Sequence, residues 1–209
     1  MKDILSGEVF DFIINESVES KEVWNYNGGM IDGRTEGNLQ NSKIGVDFMS
    51  AIIQEFKPKN LLETGTNYGS FSHVLYSNLD EFELHTCDLV ADSGRCIDFI
   101  NKSNGKENVK FHNQLSLDFL NELKESGVQY DFAWLDSAHN YDYLMKEMNM
   151  VGEMNVPIIV VDDFSWVRGI QLAVFDFLTK HENYKFYKYS NNNTQIGSIV
   201  VLKKVDEKF

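Results

Sequence analysis

Cysteine is scarce in this sequence of 209 residues, which contains only Cys87 and Cys96. Two cysteines are too few for the disulfide framework that stabilises small secreted domains. The first residues also lack the basic and then apolar pattern of a secretory signal peptide. These two absences predict a protein of the reducing cytoplasm.

Basic side chains are few relative to acidic ones. The chain has 19 Lys and Arg residues against 32 Asp and Glu residues, a formal net charge of −13, and no basic cluster interrupts this excess. An acidic surface repels the phosphates of nucleic acids and the headgroups of anionic membranes. We therefore expect neither nucleic acid nor a membrane as a partner.

Long hydrophobic runs are absent as well. The longest, such as residues 156–161, have the length of a strand, whereas a membrane-spanning helix needs about 20 apolar residues. With 43% apolar and 24% charged residues, the chain instead has the composition of a globular protein. Its length fits a single domain.

Short apolar runs alternate with helical patterns over most of the chain. Strands are predicted near residues 60–64, 82–88, 108–113, 130–136 and 156–162, and helices near residues 69–78, 93–103, 115–126, 140–153 and 165–181. Two further strand-like runs, 184–189 and 196–203, are joined by an Asn-rich turn with no room for a helix. The pattern predicts an α/β, Rossmann-like, doubly wound sheet of seven strands, mostly parallel, with an antiparallel last strand and helices on both faces.

The first 57 residues differ from this pattern. They predict a helical segment at 3–22, a long glycine-rich loop at 24–41 and a helix at 42–56. Long loops in compact domains are typically lids or binding loops. We therefore expect an N-terminal helical segment with a lid-like loop at 1–57 and a ligand-binding core at 58–209, within a single domain. Aromatic residues such as Phe10 and Trp24 could instead form an interface between two copies of the chain.

A loop with two glycines, Gly65 and Gly69, follows the first predicted strand; we call residues 65–69 the glycine loop. Glycine lets the backbone approach a ligand closely, and the N–H groups that begin the next helix favour an anionic group. Asp88 ends the second predicted strand, where an acid can bind two ribose hydroxyls. The loop lacks the third glycine of the nicotinamide-dinucleotide pattern. The structural alternative is a tight turn before a capped helix.

Acidic residues follow the fourth and fifth predicted strands. Asp136 follows one, and Asp162 and Asp163 follow the other, so neighbouring strands about 4.8 Å apart would bring three carboxylates together. Such charges repel unless a cation lies between them, and carboxylate oxygens suit Mg²⁺. His139 is our candidate general base, because histidine titrates near neutral pH. Helix capping and loop hydrogen bonds are the structural alternative.

The segment from Glu63 through the glycine loop, together with Asp88, resembles the cofactor loop of class I S-adenosylmethionine-dependent methyltransferases, which have a seven-stranded sheet with an antiparallel last strand. The resemblance implies that Glu63 and the loop hold the methionine part of the cofactor, and that Asp88 binds the ribose hydroxyls. It also implies that Leu115 and Ser116 lie against the adenine, although the family often has an acidic residue where this sequence has Leu115. The remaining cofactor contacts implied are Gly65, Thr66, Asn67, Gly69, Ser70 and Asp136.

A second resemblance concerns the polar residues after the fourth and fifth strands. Metal-dependent O-methyltransferases that act on sugars, such as the macrocin type, have a similar D-x-x-H-x-Y segment followed by an Asp pair. The resemblance implies that Asp136, Asp162 and Asp163 bind the metal and that His139 accepts a proton. The helix at 169–177 is similar too, so the resemblance covers about residues 59–202.

Together these observations predict an S-adenosylmethionine-dependent O-methyltransferase that uses Mg²⁺ or another divalent cation and acts on a small hydroxylated molecule, such as a sugar or natural product. Three alternatives stay open. A metal-independent methyltransferase would use His139 or Asp136 alone. A non-catalytic module would bind an adenosine-containing ligand or a protein partner without turnover. An NAD-linked oxidoreductase would need the glycine that the loop lacks.

Overall fold

The computed structural model describes residues 43–164, 167–190 and 199–205. Helices and strands alternate within these ranges. They are α1 (Lys43–Phe56), β1 (Asn60–Thr64), α2 (Ser70–Asn78), β2 (Glu83–Asp88), α3 (Asp92–Asn104), β3 (Val109–Asn113), α4 (Ser116–Ser126), β4 (Phe132–Leu135), α5 (Tyr141–Glu153), β5 (Ile158–Val161), α6 (Arg168–Lys180), β6 (Tyr184–Tyr189) and β7 (Val200–Lys204). The predictions for residues 1–42, including the lid-like loop and the aromatic interface, lie outside the described residues.

The predicted alternation of strands and helices is present, with bounds that differ by a few residues. The last helix, for example, begins at Arg168 rather than at residue 165. In the described part of the chain, no helix is both long and apolar enough to span a bilayer. The division at residue 57, the cytoplasmic location and the association of two copies stay predictions.

The seven strands form one sheet in the order β3-β2-β1-β4-β5-β7-β6. Strands β1 to β5 run parallel to one another, and β7 is antiparallel to both β5 and β6. This topology confirms the predicted fold class. Strands β2 and β3 lie on one side of β1, and β4 and β5 lie on the other side. The strand order therefore changes direction between β1 and β4, and in open α/β sheets ligands bind at the carboxyl ends of the strands at such a point.

Successive residues of the central strands pack on opposite faces of the sheet. In β4, Ala133 and Leu135 belong to a core that also contains residues of α4, α5 and α6. Phe132 and Trp134 belong to a second core, with residues of α1, α2 and α3. Trp134 is 2% exposed, and its ring stacks on that of Phe71 with centroids 5.2 Å apart. Helices therefore cover both faces, and the polar candidate residues lie at the strand ends.

Candidate functional site

The glycine loop is held against the end of β2. The backbone N–H groups of Gly65 and Thr66 both donate to the carbonyl oxygen of Cys87, at 2.9 and 3.1 Å. Gly65, Asn67 and Gly69 all have positive φ, at 90°, 47° and 75°. Such backbone is costly for most residues, whereas glycine adopts it freely and Asn tolerates it better than most. The residue types of the loop therefore suit its conformation.

Both glycines of this loop lie in close contact with the protein itself. A Cβ atom at Gly65 would lie 2.2 Å from the backbone oxygen of Asp136, just after β4. A Cβ atom at Gly69 would lie 2.6 Å from the Ile100 side chain. The absence of a side chain is thus explained by protein packing, while the approach of a ligand stays a prediction. The packing also puts the glycine loop in direct backbone contact with Asp136.

Glu63, the residue predicted to contact the methionine part of a cofactor, is 1% exposed near the end of β1. Its Oε2 accepts a hydrogen bond of 2.5 Å from Thr86 Oγ1, which lies 2.6 Å from Thr66 Oγ1. Burial raises the pKa of Glu63 to about 8, and this effect exceeds the opposing effect of the Thr86 hydroxyl. At neutral pH the group is therefore mainly a neutral acid.

Asp88 lies at the carboxyl end of β2, beside the same loop. Its Oδ2 accepts the N–H of Asn67 at 2.8 Å, and its Oδ1 accepts the N–H of Val90 at 2.9 Å. A carboxylate oxygen has more than one lone pair, so both oxygens retain capacity for a hydroxyl donor. The structure thus brings Asp88 to the glycine loop, and its contact with a ribose stays a prediction.

The free energy of unfolding should decrease as the pH rises, because of Glu63. Folding raises the pKa of this group from its ordinary value of 4.5 to about 8. The stability that the protonated group contributes is therefore fully present below about pH 4.5 and is lost as the pH rises through about 8. One such group gives a slope of up to about 1.4 kcal/mol per pH unit in this interval. Urea unfolding in EDTA at about pH 5, 7 and 9 measures the slope.

In the variant Glu63→Gln, the free energy of unfolding should decrease less steeply with pH, by about the contribution of one titrating group. An amide does not titrate, but it still accepts a hydrogen bond from Thr86. Glu81→Gln is the matched control, since Glu81 is exposed, and its slope should equal that of the wild type. An unchanged slope in Glu63→Gln would contradict a buried, neutral carboxyl group at this position.

The predicted adenine segment lies at the start of α4. Leu115 precedes the helix and is 46% exposed, whereas Ser116 is buried. The Ser116 hydroxyl donates to the carboxylate of Glu147, in α5. Glu147 is not among the site residues predicted from the sequence. The sequence pattern that could indicate its burial is an acidic residue at helical spacing from Leu144 and Val151, on the apolar face of an amphipathic helix.

Asp136, His139 and Asp163 come together where β4 and β5 end, and we call them the Asp–His cluster. One ligand atom from each residue lies within 4.8 Å of those of the other two. The Nδ1 atom of His139 lies 3.1 Å from Oδ2 of Asp163. The two strands are parallel neighbours, with Leu135 opposite Val161, so the residues that follow them meet at one edge of the sheet.

Asp162 does not belong to the Asp–His cluster, the group of possible metal ligands found among the described residues. Its Oδ1 accepts the backbone N–H of Asp163 at 2.8 Å. Asp163 itself has a φ of 55°, in the left-handed region that Asp tolerates better than most residues. The chain thus leaves the extended conformation immediately after β5. The role of Asp162 as a metal ligand stays a prediction.

Burial and mutual repulsion perturb the ionisation of this edge. Burial raises the pKa of Asp136 well above its ordinary value, and Asp162 and Asp163 raise it further. Burial, followed by the charge of Asp163, raises the pKa of Asp162 to about 7. The hydrogen bond with Asp163 raises the pKa of His139. The two carboxylates of the Asp–His cluster suit a divalent cation, which would offset their repulsion, and the imidazole beside them can either join them as a ligand or accept a proton.

The sequence matches no protein-family model and no curated protein. Solved structures do match. An O-methyltransferase from Bacillus cereus, in complex with S-adenosylhomocysteine, has a TM-score of 0.74 at 15% identity, over 97% of this chain and 94% of that one. The O-methyltransferase TomG from Streptomyces achromogenes, involved in tomaymycin synthesis and in complex with S-adenosylmethionine, has a TM-score of 0.72 at 14% identity, over 96% and 91%. The chain has the fold of S-adenosylmethionine-dependent O-methyltransferases.

A methyltransferase from Podospora anserina, also bound to S-adenosylhomocysteine, has a TM-score of 0.62 at 16% identity, over 91% of this chain and 96% of that one. The fold that the sequence resemblance implies is thus confirmed. In this methyltransferase fold, the glycine loop and the Asp–His cluster lie at the carboxyl ends of the central strands β1, β4 and β5.

Proposed function

We propose that the protein is an O-methyltransferase that transfers the methyl group of S-adenosylmethionine to a hydroxyl of a small molecule, such as a sugar or a sugar-bearing natural product, with Mg²⁺ or another divalent cation. The backbone contact between Gly65 and Asp136 carries this proposal, because it joins the glycine loop to the Asp–His cluster. The net charge of −13 supports a small molecule rather than nucleic acid as the acceptor.

The described geometry of the glycine loop fits the cofactor. Helix α2 begins at Ser70, and Gly69 before it has no side chain to cap the first-turn N–H groups. These groups suit the carboxylate of an amino acid. Glu63 lies in β1 just before the loop, and Asp88 accepts the N–H of Asn67 within it; we assign Glu63 to the methionine part and Asp88 to the ribose. When bound, the cofactor supplies an electrophilic methyl group on a sulfonium sulfur.

The Asp–His cluster fits the metal and the proton acceptor. We assign Asp136 and Asp163 to the metal, with Asp162 as a further ligand; a bound divalent cation lowers the pKa of a coordinated hydroxyl and orients it. The Nδ1 atom of His139 faces Asp163. When Nδ1 carries the hydrogen, Nε2 is the basic ring nitrogen and can accept the proton of the substrate hydroxyl. Asp163 thus holds the imidazole in the tautomer that a general base needs.

Calorimetric titration tests the cofactor. In Mg²⁺ buffer we expect S-adenosylmethionine to bind with a Kd in the micromolar range, and NAD⁺, the comparison ligand, not to bind. If S-adenosylmethionine does not bind, the methyltransferase proposal fails while the fold stands.

Turnover assays with sugar and catechol acceptors, with and without EDTA, test the metal. We expect methyl transfer to stop in EDTA and to return when Mg²⁺ is added in excess. Full activity in EDTA would support a metal-independent methyltransferase instead. Binding of S-adenosylmethionine without transfer to any acceptor would support a non-catalytic module.

A further inference from the structure

Glu147 is an acidic residue in the interior of the molecule. It lies on the buried face of α5 together with Leu144 and Val151, and its exposed fraction is 0%. A carboxyl group in such a place loses its hydration, so it persists only where other groups donate hydrogen bonds to it.

Two hydroxyl groups from different segments of the site donate to Glu147. Ser137 Oγ lies 2.5 Å from Oε1 of Glu147, and Ser116 Oγ donates to the same oxygen. The two hydroxyl oxygens are 3.5 Å apart. Ser137 directly follows Asp136 of the Asp–His cluster, and Ser116 is the first residue of α4. One carboxylate oxygen thus joins the two segments.

The second oxygen of Glu147, Oε2, is also buried. Burial raises the pKa of Glu147, and the hydroxyl groups of Ser116, Ser137 and Thr64 oppose this effect. A methionine would fill a similar volume without a carboxyl group that loses its hydration, and such exchanges of buried polar for apolar groups are often neutral or stabilising. Stability alone therefore does not account for a carboxylate here.

We propose that Glu147 is a positioning residue of the methyltransferase site, which fixes the adenine-side start of α4 relative to the metal-side loop after β4 by accepting hydrogen bonds from Ser116 and Ser137. This inference rests on the proposed function, because the two segments are assigned to the cofactor and the metal there. Glu147 acts through the two serines, so its loss should weaken cofactor binding and metal binding together.

The test compares Glu147→Met with Glu147→Gln. Methionine removes the acceptor, whereas glutamine keeps an oxygen that can accept from both serines. Calorimetry measures the Kd of S-adenosylmethionine in EDTA and, separately, the Kd of Mg²⁺ without cofactor. We expect both to rise about tenfold in Glu147→Met and to stay within about threefold of wild type in Glu147→Gln.

Alanine variants of the two serines separate the two effects. Ser116→Ala should mainly weaken cofactor binding, and Ser137→Ala should mainly weaken Mg²⁺ binding. Since both act through Glu147, adding either to Glu147→Met should have little further effect. Met148→Leu, a buried change on the same helix, is the control and should leave both Kd values unchanged. The serine variants decide the question if Glu147→Met does not fold.

Two results would overturn the inference, and they are distinguishable. If the variants lower Tm but leave both Kd values unchanged, Glu147 is only structural, and the proposed function stands. If the wild-type protein does not bind S-adenosylmethionine, the proposed function fails and the positioning role fails with it.

Discussion

Replacing Asp163 with asparagine should reduce methyl transfer at least about 100-fold, since losing about 3 kcal/mol of metal-dependent stabilisation corresponds to that factor. Asparagine matches the size of Asp163 and tolerates its φ of 55° equally well, so the backbone should be retained. The affinity for S-adenosylmethionine should change little, because we assign the glycine loop after β1 to the cofactor, whereas Asp163 follows β5 and is assigned to the metal. Initial rates in Mg²⁺ and calorimetry with the cofactor and with Mg²⁺ measure these effects.

The matched control is Asp98→Asn, which makes the same change of charge at an exposed position of α3. Its activity should stay within about twofold of wild type, as for most surface substitutions. Full metal-dependent activity in Asp163→Asn would show that the Asp–His cluster does not hold the metal. Equal losses in both variants would indicate a response to net charge instead.

The substitution Gly65→Ala should lower the free energy of unfolding by about 3 kcal/mol or more, from overpacking together with backbone strain. The new methyl group would lie 2.2 Å from the backbone oxygen of Asp136. A shift of either segment would disturb the hydrogen bonds from Gly65 N to Cys87 O and from Asp136 N to Thr64 O. For a domain of this size, we expect a fall in Tm of about 6–12 °C.

Gly127→Ala separates strain from contact. Gly127 has a similar φ of 71°, but a Cβ there meets nothing within 4 Å, so the expected loss is only about 1 kcal/mol. Urea unfolding of both variants measures the difference. Similar losses of unfolding free energy in the two variants would mean that the backbone at residues 136–137 moves easily. They would contradict a tight contact between the glycine loop and the Asp–His cluster.

The fold could be predicted because its signals are local. The strands β4 and β5 are buried at every residue, and their apolar runs alternate with amphipathic helices, a pattern that predicts parallel strands with helical crossovers. The hairpin at the end follows from two strand-like runs without a helix between them. The local pattern does not reveal which of the two hairpin strands pairs with β5, because that choice depends on contacts between distant residues.

The site could be predicted in part. The rule that ligands bind at the carboxyl ends of parallel strands predicts that Asp136, Asp162, Asp163 and His139 lie near one another. It does not show that His139, rather than Asp162, completes the three-residue group, because that depends on the distances between side-chain atoms in the folded chain. Glu147 could not be predicted as a site residue, because its hydrogen-bond partners lie 10 and 31 residues away in the chain.

The position of β7 between β5 and β6 has a consequence for synthesis on the ribosome. β5 is produced well before β7, so one edge of the apolar segment Ile158–Val161 has no partner until Val200–Lys204 emerges. Unpaired apolar edges promote aggregation of nascent chains. The strand β5, which leads directly into Asp162 and Asp163, is therefore paired on both sides only late in synthesis, although it lies near the middle of the finished sheet.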